Sequence, residues 1–396
     1  MLVKINRLIQ LPDPLRVARY KRVPELGPKI LFFSGGTALR QTCHELIEYT
    51  HNSIHIISTF DSGGSSAKLR KVFKMPAIGD IRNRLMALAD RSLQGNPEIF
   101  SLFSVRFPED ADNHELFEEL QKMIQGKSPL IKNIPAPMRK IIRNHLYQFQ
   151  QSMPDNFDLR KASIGNLVLT AGYLNNQRHL DPMIFLFSKL VQVRGKVRPV
   201  LNKNLELAAV LENGNTIVGQ HLLTGKEVAP IQSKITRLYL TLDQNQPESV
   251  TIPIRKKTHD LINEAELICY PMGSFFSSII ANFLPKGIGT AISKAHCPKI
   301  FIPNTTHDPE LYGYDLTEQV ECLISYLKQD NPDSISIHDI LNFIIIDESS
   351  GMYQGELDKK KMQHLGIEVI NCPLISDESR PYIDARLLVP ILLSFI

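Results

Sequence analysis

The stretch STFDSGGSSAKLR, residues 58–70, gathers the ingredients of an anion site in one loop. Asp61 can accept a hydroxyl proton or help to bind Mg²⁺, and Gly63 and Gly64 permit a nest of backbone N–H donors. Ser65 and Ser66 add hydroxyls, and Lys68 and Arg70 carry charge that neutralises phosphate. A plain solvent-exposed turn needs one glycine and some polar residues, so this accumulation points to a phosphate-bearing ligand.

Three further loops occupy the same kind of position, after a strand or at the start of a helix. In FFSGGTALR, Gly35 and Gly36 let a ligand approach the backbone, and Thr37 opens a helix whose free N–H groups favour an anion. No Lys-Ser/Thr follows at P-loop spacing and the third glycine of the dinucleotide fingerprint is missing, so a tight turn explains this loop equally well. In AIGDIRN, Asp80 is either a helix cap or a site carboxylate, and Arg82 and Asn83 are either ligand groups or surface residues. Gly165-Asn166 in SIGNL, and Gly273-Ser274 with Ser277 and Ser278 in PMGSFFSS, carry the same two readings.

Two other groupings lead elsewhere. His44, Glu48 and His51 share a helical face, but they lack the HExxH pattern and lie beside an apolar stripe, as solvated residues do. His296 and Cys297 have no matching ligand set. No Ser-His-Asp arrangement can be argued from spacing.

The elements that must position these loops alternate. KILFF is a strand, Leu39, Cys43, Leu46, Ile47 and Thr50 recur at helical spacing, and SIHIISTF is a second strand, so the chain opens with a β-α-β unit. Residues 96–160 read as a helical insertion. Between residues 194 and 253, LELAAVL, NTIVGQHLL and ITRLYLTL suggest a small antiparallel section. Strand and helix then alternate again through ELICY, GSFFSSIIANFL, KIFIPN, LTEQVECLISYL and FIIID. The expectation is an α/β fold with a doubly wound, mainly parallel sheet, ligands lying beyond the C-terminal strand ends. Residues 1–28 read as a solvated N-terminal arm, 29–330 as the nucleotide-binding domain and 331–396 as an α/β extension on the same core.

With 396 residues, a formal charge of +4 and 43% hydrophobic residues, the chain reads as globular, without the basic excess that nucleic-acid binding requires. Five scattered cysteines suit a reducing compartment. The N-terminus lacks a signal-peptide core, and the apolar ARLLVPILLSFI is too short to span a bilayer, so a buried C-terminal segment and a cytoplasmic, non-membrane protein are expected.

In order, FFSGGTALR, STFDSGGSSAKLR, AIGDIRNRLMALAD, SIGNLVLTAGYL and AELICYPMGSFFSSIIANFL resemble successive motifs of the CofD-like family. That family includes the 2-phospho-L-lactate transferases and the gluconeogenesis-factor (YvcK-type) group. The resemblance covers residues 30–320 and implies a Rossmann-like core, a nucleoside-diphosphate or nucleotide-sugar ligand, Mg²⁺ and a homodimer. By position it assigns Gly35, Gly36, Thr37 and Gly63–Ser66 to the phosphates, and Asp61 and Asp80 to catalysis, with Asp61 also a metal ligand. Asn166, Gly273 and Ser274 would line the same cleft.

The chain departs from the family pattern at Ala38, Ser62, Gln220 and His307, where Gly, Asp, Glu and Gln are usual. Two functions follow. One is a transferase moving a phosphorylated group from a nucleotide-linked donor to a hydroxyl acceptor. The other is a non-catalytic nucleotide sensor with protein partners, which the missing carboxylates at Ser62 and Gln220 favour.

Overall fold

Strands buried on both faces of a parallel sheet must be apolar throughout, and ILFF at residues 30–33 meets that demand. The computed structural model describes residues 8–92, 95–225 and 227–396; residues 1–7 of the expected arm lie outside the described residues. The strands are β1 (Ile30–Ser34), β2 (Ile54–Ile57), β3 (Lys196–Pro199), β4 (Glu206–Leu211), β5 (Thr216–Val218), β6 (Ile235–Thr241), β7 (Leu267–Tyr270), β8 (Lys299–Phe301), β9 (Phe343–Ile346) and β10 (Glu368–Asn371). Seven of them form one sheet in the order β10-β9-β8-β7-β1-β2-β3, with every pairing parallel. The other three form an antiparallel sheet in the order β5-β4-β6.

Because side chains alternate along a strand, β1 supplies both layers of the core. Ile30 and Phe32 pack with Leu39, Cys43 and Leu46, while Leu31 and Phe33 face Phe276 and Phe283 on the other side. From β1 the chain passes to β2 and β3 on one flank, then returns to β7 on the other. The crossovers therefore part between β1 and β7, which opens a crevice at their C-terminal ends.

Between β2 and β3 lies the helical insertion, with helices Pro97–Ser104, Asn113–Gln125 and Ala136–Ser152. Leu116, Leu120, Met123, Ile142, Leu146 and Phe149 bury its interior. The insertion closes on a short stem, where Phe107 N donates to Ala162 O (2.9 Å) and Lys161 N to Phe107 O (3.1 Å). This stem fixes where Arg106 and Lys161 emerge.

Several elements differ from expectation. QHLL forms a helical turn, Gln220–Leu223, because the chain leaves β5 through Gly219 at φ 114°. GSFFSSIIANFL is a π-helical turn, Phe275–Ile279, followed by a 3₁₀ turn, Ile280–Asn282. The amides that would begin a regular helix there are held by carboxylates from the Asn304–Leu311 segment. β10 was not anticipated; EVIN is short and half exposed, so its apolar signal is weak. The N-terminal arm is a helix, Pro14–Arg22, capped by Asp13, and it is docked as well as solvated: Asp13 N donates to Ser394 Oγ (2.7 Å) of the buried C-terminal helix Ala385–Ser394.

Arg70 turns out to be a structural staple. Its side chain is buried, pairs with Glu206 of β4 (2.7 Å) and donates to the carbonyls of Phe60 (3.2 Å), Asp61 (3.0 Å) and Leu205 (2.7 Å). It thus clamps the antiparallel sheet to the loop that carries Asp61. Removing one partner of a buried pair strands the other charge. Arg70→Met is expected to lower stability by about 3–5 kcal/mol in chemical denaturation. A loss below about 1 kcal/mol, the range of surface pairs, would show that this pair is not structural.

Candidate functional site

At the parting of the crossovers lies a cleft of about 990 Å³, lined by the loops after β1, β2, β7 and β8 and by the start of the helix Gly79–Ala87. Its size suits a ligand of nucleotide dimensions.

The loop after β1 forms its floor. Gly35 is needed because a Cβ there would lie 2.6 Å from Ser278 Oγ, so the loops after β1 and β7 touch. At Gly36 a Cβ would meet only Asp80 Oδ1, at 3.8 Å, so this position faces the open cleft. Among the described residues no protein group accepts from the backbone N–H groups of Gly36, Thr37 or Ala38. All three residues line the cleft, and Asp80 lies beside Gly36.

The loop after β2 is more committed. Gly63 N donates to Asp61 Oδ1 (3.0 Å), and Gly64 N donates to Glu227 Oε1 (3.0 Å), so a carboxylate already sits at the start of the helix Gly64–Phe73. Ser62 Oγ lies 2.7 Å from His221 Nδ1 and accepts from His221 N (3.1 Å). The position that lacks the family's aspartate thus anchors the turn carrying Gln220, whose Nε2 lies 3.5 Å from Ser277 Oγ.

The loop after β7 is closed internally. Asn304 Oδ1 accepts from Gly273 N (2.8 Å) and its Nδ2 donates to Gly273 O (2.7 Å). Phe275 N donates to Asp308 Oδ2 (2.7 Å) and Ser277 N to Glu310 Oε2 (2.8 Å). Burial, reinforced by Asp308, pushes the Glu310 carboxyl well up from its ordinary value. Gly273 and Ser274 line the cleft, but the amides that follow them already hold carboxylates.

The structure therefore divides the residues singled out from sequence. It brings Gly35, Gly36, Thr37, Asp61, Gly63, Gly64, Ser65, Ser66, Asp80, Asn83, Gly273 and Ser274 to one cleft. Asp80 is not the helix cap: Ile78 holds that position, and Asp80 lies in the first turn. Five residues lie elsewhere. Lys68 pairs with Asp158 (2.6 Å) on the insertion, and Arg70 with Glu206. Arg82 is buried, donating to Asn83 Oδ1 (2.6 Å), and burial with nearby Arg106 and Arg40 lowers its pKa to about 10. Gly165 leaves room for Arg82, whose Cδ would lie 2.9 Å from a Cβ there. Asn166 is wholly buried, with its Nδ2 3.4 Å from Ser65 Oγ, and supports the loop from behind.

Among the described residues, the cations that line the cleft are Arg84, Arg106 and Lys161, with His221 and His307 beside them. Arg106 donates to Ser65 Oγ (3.1 Å) and to Lys161 O (3.3 Å), so the insertion stem supplies charge to the cleft. Sequence reasoning missed these, and also Asp308 and Glu310; the acidic HDPEL beside His307 was the signal available for the last two. Near Asp61, a Cβ at Gly79 would lie 3.3 Å from Asp61 Oδ2 and 2.4 Å from Ser66 Oγ, so hard oxygen donors converge there. Among the described residues no three His, Cys, Asp or Glu side chains are grouped to hold a metal. That donor set fits Mg²⁺, which uses one or two carboxylates and completes its shell with phosphates and water.

No helix among the described residues is long and apolar enough to cross a membrane. The family model described as 2-phospho-L-lactate transferase CofD matches residues 30–375. The gluconeogenesis factor of Bacillus subtilis (strain 168) is 28% identical over 356 residues, covering 88% of this chain and 92% of that protein. A putative gluconeogenesis factor of Thermoanaerobacterium thermosulfurigenes is 29% identical over 302 residues, covering 75% of this chain and 74% of that protein. Among solved structures, a UPF0052 family member from Bacillus halodurans superposes with a TM-score of 0.67 at 22% identity, covering 92% of this chain and 99% of that one. With its parallel sheet, its glycine loops at the parting of the crossovers and a family match over most of its length, the chain belongs to the CofD family.

Proposed function

We propose that the cleft binds a nucleoside-diphosphate-linked ligand and that the protein transfers a phosphorylated group of the 2-phospho-L-lactate type from it to a hydroxyl acceptor. The observation that carries this reading is that Gly36, Thr37 and Ala38, whose N–H groups have no acceptor among the described residues, line the cleft at the switch point, beside Asp80. Backbone donors at such a loop favour phosphate oxygens, and Arg106 on the lip adds positive charge, while Lys161 beside it is paired with Glu109.

In the transfer, the acceptor oxygen bonds to the phosphorus of the phosphorylated group itself. The bond from that phosphorus to the bridging oxygen breaks, and a nucleoside monophosphate leaves. The hydroxyl proton passes to a cleft carboxylate, Asp61 or Asp80. Alignment and charge stabilisation supply most of such catalysis, so no protein nucleophile is required. Mg²⁺, held by Asp61 and Asp80, would neutralise charge on the phosphate oxygens.

A second reading is a nucleotide or nucleotide-sugar sensor without turnover, signalling to protein partners. Ser62 locked to His221 favours it, because the site lacks a carboxylate there, as do the names of the similar gluconeogenesis factors.

A thermal-shift panel of GDP, UDP and UDP-sugars, with and without Mg²⁺, tests binding. The right ligand at a hundredfold excess over its Kd should add about 2.7 kcal/mol; no shift from any nucleotide would contradict the reading. Release of nucleoside monophosphate in the presence of acceptors then separates transfer from sensing. Gly36→Ala should leave the melting temperature unchanged, since its methyl meets nothing closer than 3.8 Å, yet weaken nucleotide binding by about tenfold (about 1.4 kcal/mol). Unchanged affinity in titration calorimetry would move the phosphates away from this loop.

A further inference from the structure

One serine–histidine pair in the cleft joins residues 159 positions apart in the sequence, Ser62 and His221. Ser62 Oγ lies 2.7 Å from His221 Nδ1 and accepts from His221 N at 3.1 Å. The ring is held from other sides as well. A Cβ at Gly219 would lie 2.9 Å from His221 Cε1 and 3.1 Å from Nδ1, so glycine leaves room for this edge of the imidazole. Thr224 Oγ1 donates to His221 O (3.3 Å), which ties down the short turn Gln220–Leu223. His221 is half-buried and lines the cleft. Among the described residues no other group bonds to its ring and no carboxylate pairs with it.

The Ser62 hydroxyl has one proton and two lone pairs. One lone pair takes the His221 amide, and among the described residues Nδ1 is the acceptor within reach of the proton. A hydroxyl that donates to Nδ1 needs that nitrogen bare, so the proton of the neutral ring sits on Nε2. The opposite tautomer would set Nδ1–H against Oγ and leave the hydroxyl proton without a protein acceptor. A nucleophilic serine fits this arrangement poorly. Its oxygen is already engaged by the amide, and among the described residues no carboxylate orients the ring from behind, as triad chemistry requires.

We infer that Ser62 fixes the tautomer of His221 so that the ring gives the cleft a hydrogen-bond donor, Nε2–H, for a phosphate oxygen of the bound ligand. Ser62 is the positioning residue and His221 the binding residue. The edge packed on Gly219 carries Cε1 and Nδ1, which leaves Nε2 as the ring nitrogen for the ligand. A donor held in one tautomer and one orientation bonds to a charged oxygen with little ordering left to do, and bonds of this kind are stronger than neutral ones. The phosphate in this inference rests on the proposed nucleotide reading; the tautomer does not.

The test is imidazole ¹⁵N NMR of the full chain at about pH 8.5, where an imidazole is read in its neutral form, with the His221 ring assigned through its bonds to the backbone. The ligand-free wild type should show Nε2 protonated and Nδ1 bare, and Ser62→Ala should replace this single form by a mixture. Bound pyrophosphate, GDP or UDP should shift Nε2 and leave Nδ1 in place. In titration calorimetry His221→Leu should lose about tenfold in affinity for the same probes. His221→Gln, whose amide reaches the position of Nε2, should stay closer to the wild type. A wild-type ring protonated on Nδ1 would overturn the inference, and that result needs no variant to fold. The same single tautomer in Ser62→Ala, or equal affinity of His221→Leu and wild type, would also overturn it, leaving the pair a structural tie. GDP or UDP bound with Nε2 unmoved overturns it while the nucleotide reading stands. If pyrophosphate binds and shifts Nε2 but GDP and UDP do not bind, the nucleotide reading fails and the role of His221 stands. If none of the three binds, both fail.

Discussion

The contact between Gly35 and Ser278 is the constraint on which the site depends. It exists because β1 and β7 are neighbours while their crossovers leave in opposite directions, so two loops from distant parts of the chain meet at one sheet edge. Any side chain at position 35 would drive them apart. Once they touch, the first loop lies beside Asp80, the loop after β2 closes one side, and the insertion stem brings Arg106 and Lys161 to the lip.

Charge then decides which glycine loop is left open to an anion. The turn after β7 is saturated by Asp308 and Glu310, and the helix after β2 carries the Glu227 carboxylate on Gly64. Both have an internal anion where a phosphate would otherwise lie. Among the described residues no carboxylate accepts from the amides of the loop after β1, although Asp80 lies beside it. A similar glycine motif thus serves three different ends, fixed by the side chains that the fold places around it.

Much of this was legible in the sequence where the signal is local. Apolar runs followed by glycine loops identified the parallel sheet, and the antiparallel section followed from its turns. Side-chain direction was not legible. Lys68 and Arg70 lie one helical turn beyond Ser65 and Ser66, but each is drawn off by a carboxylate from a distant part of the chain, Asp158 and Glu206, that no local pattern reveals. Arg84 sits in GDIRNRLM, where an arginine on a helix reads as solvated; only the packing of that helix beneath β1 buries it. Arg106 and Lys161 flank a helical insertion without a repeated motif, and their place depends on the stem that closes it.

The central claim is that the ligand's diphosphate rests on the first glycine loop. A crystal structure of the protein with bound GDP or UDP tests it most directly. Phosphate oxygens should lie about 2.7–3.2 Å from the amides of Gly36, Thr37 or Ala38. Phosphates seated instead on the Gly273–Ser278 turn, with the Gly36 amides facing only water, would contradict the account.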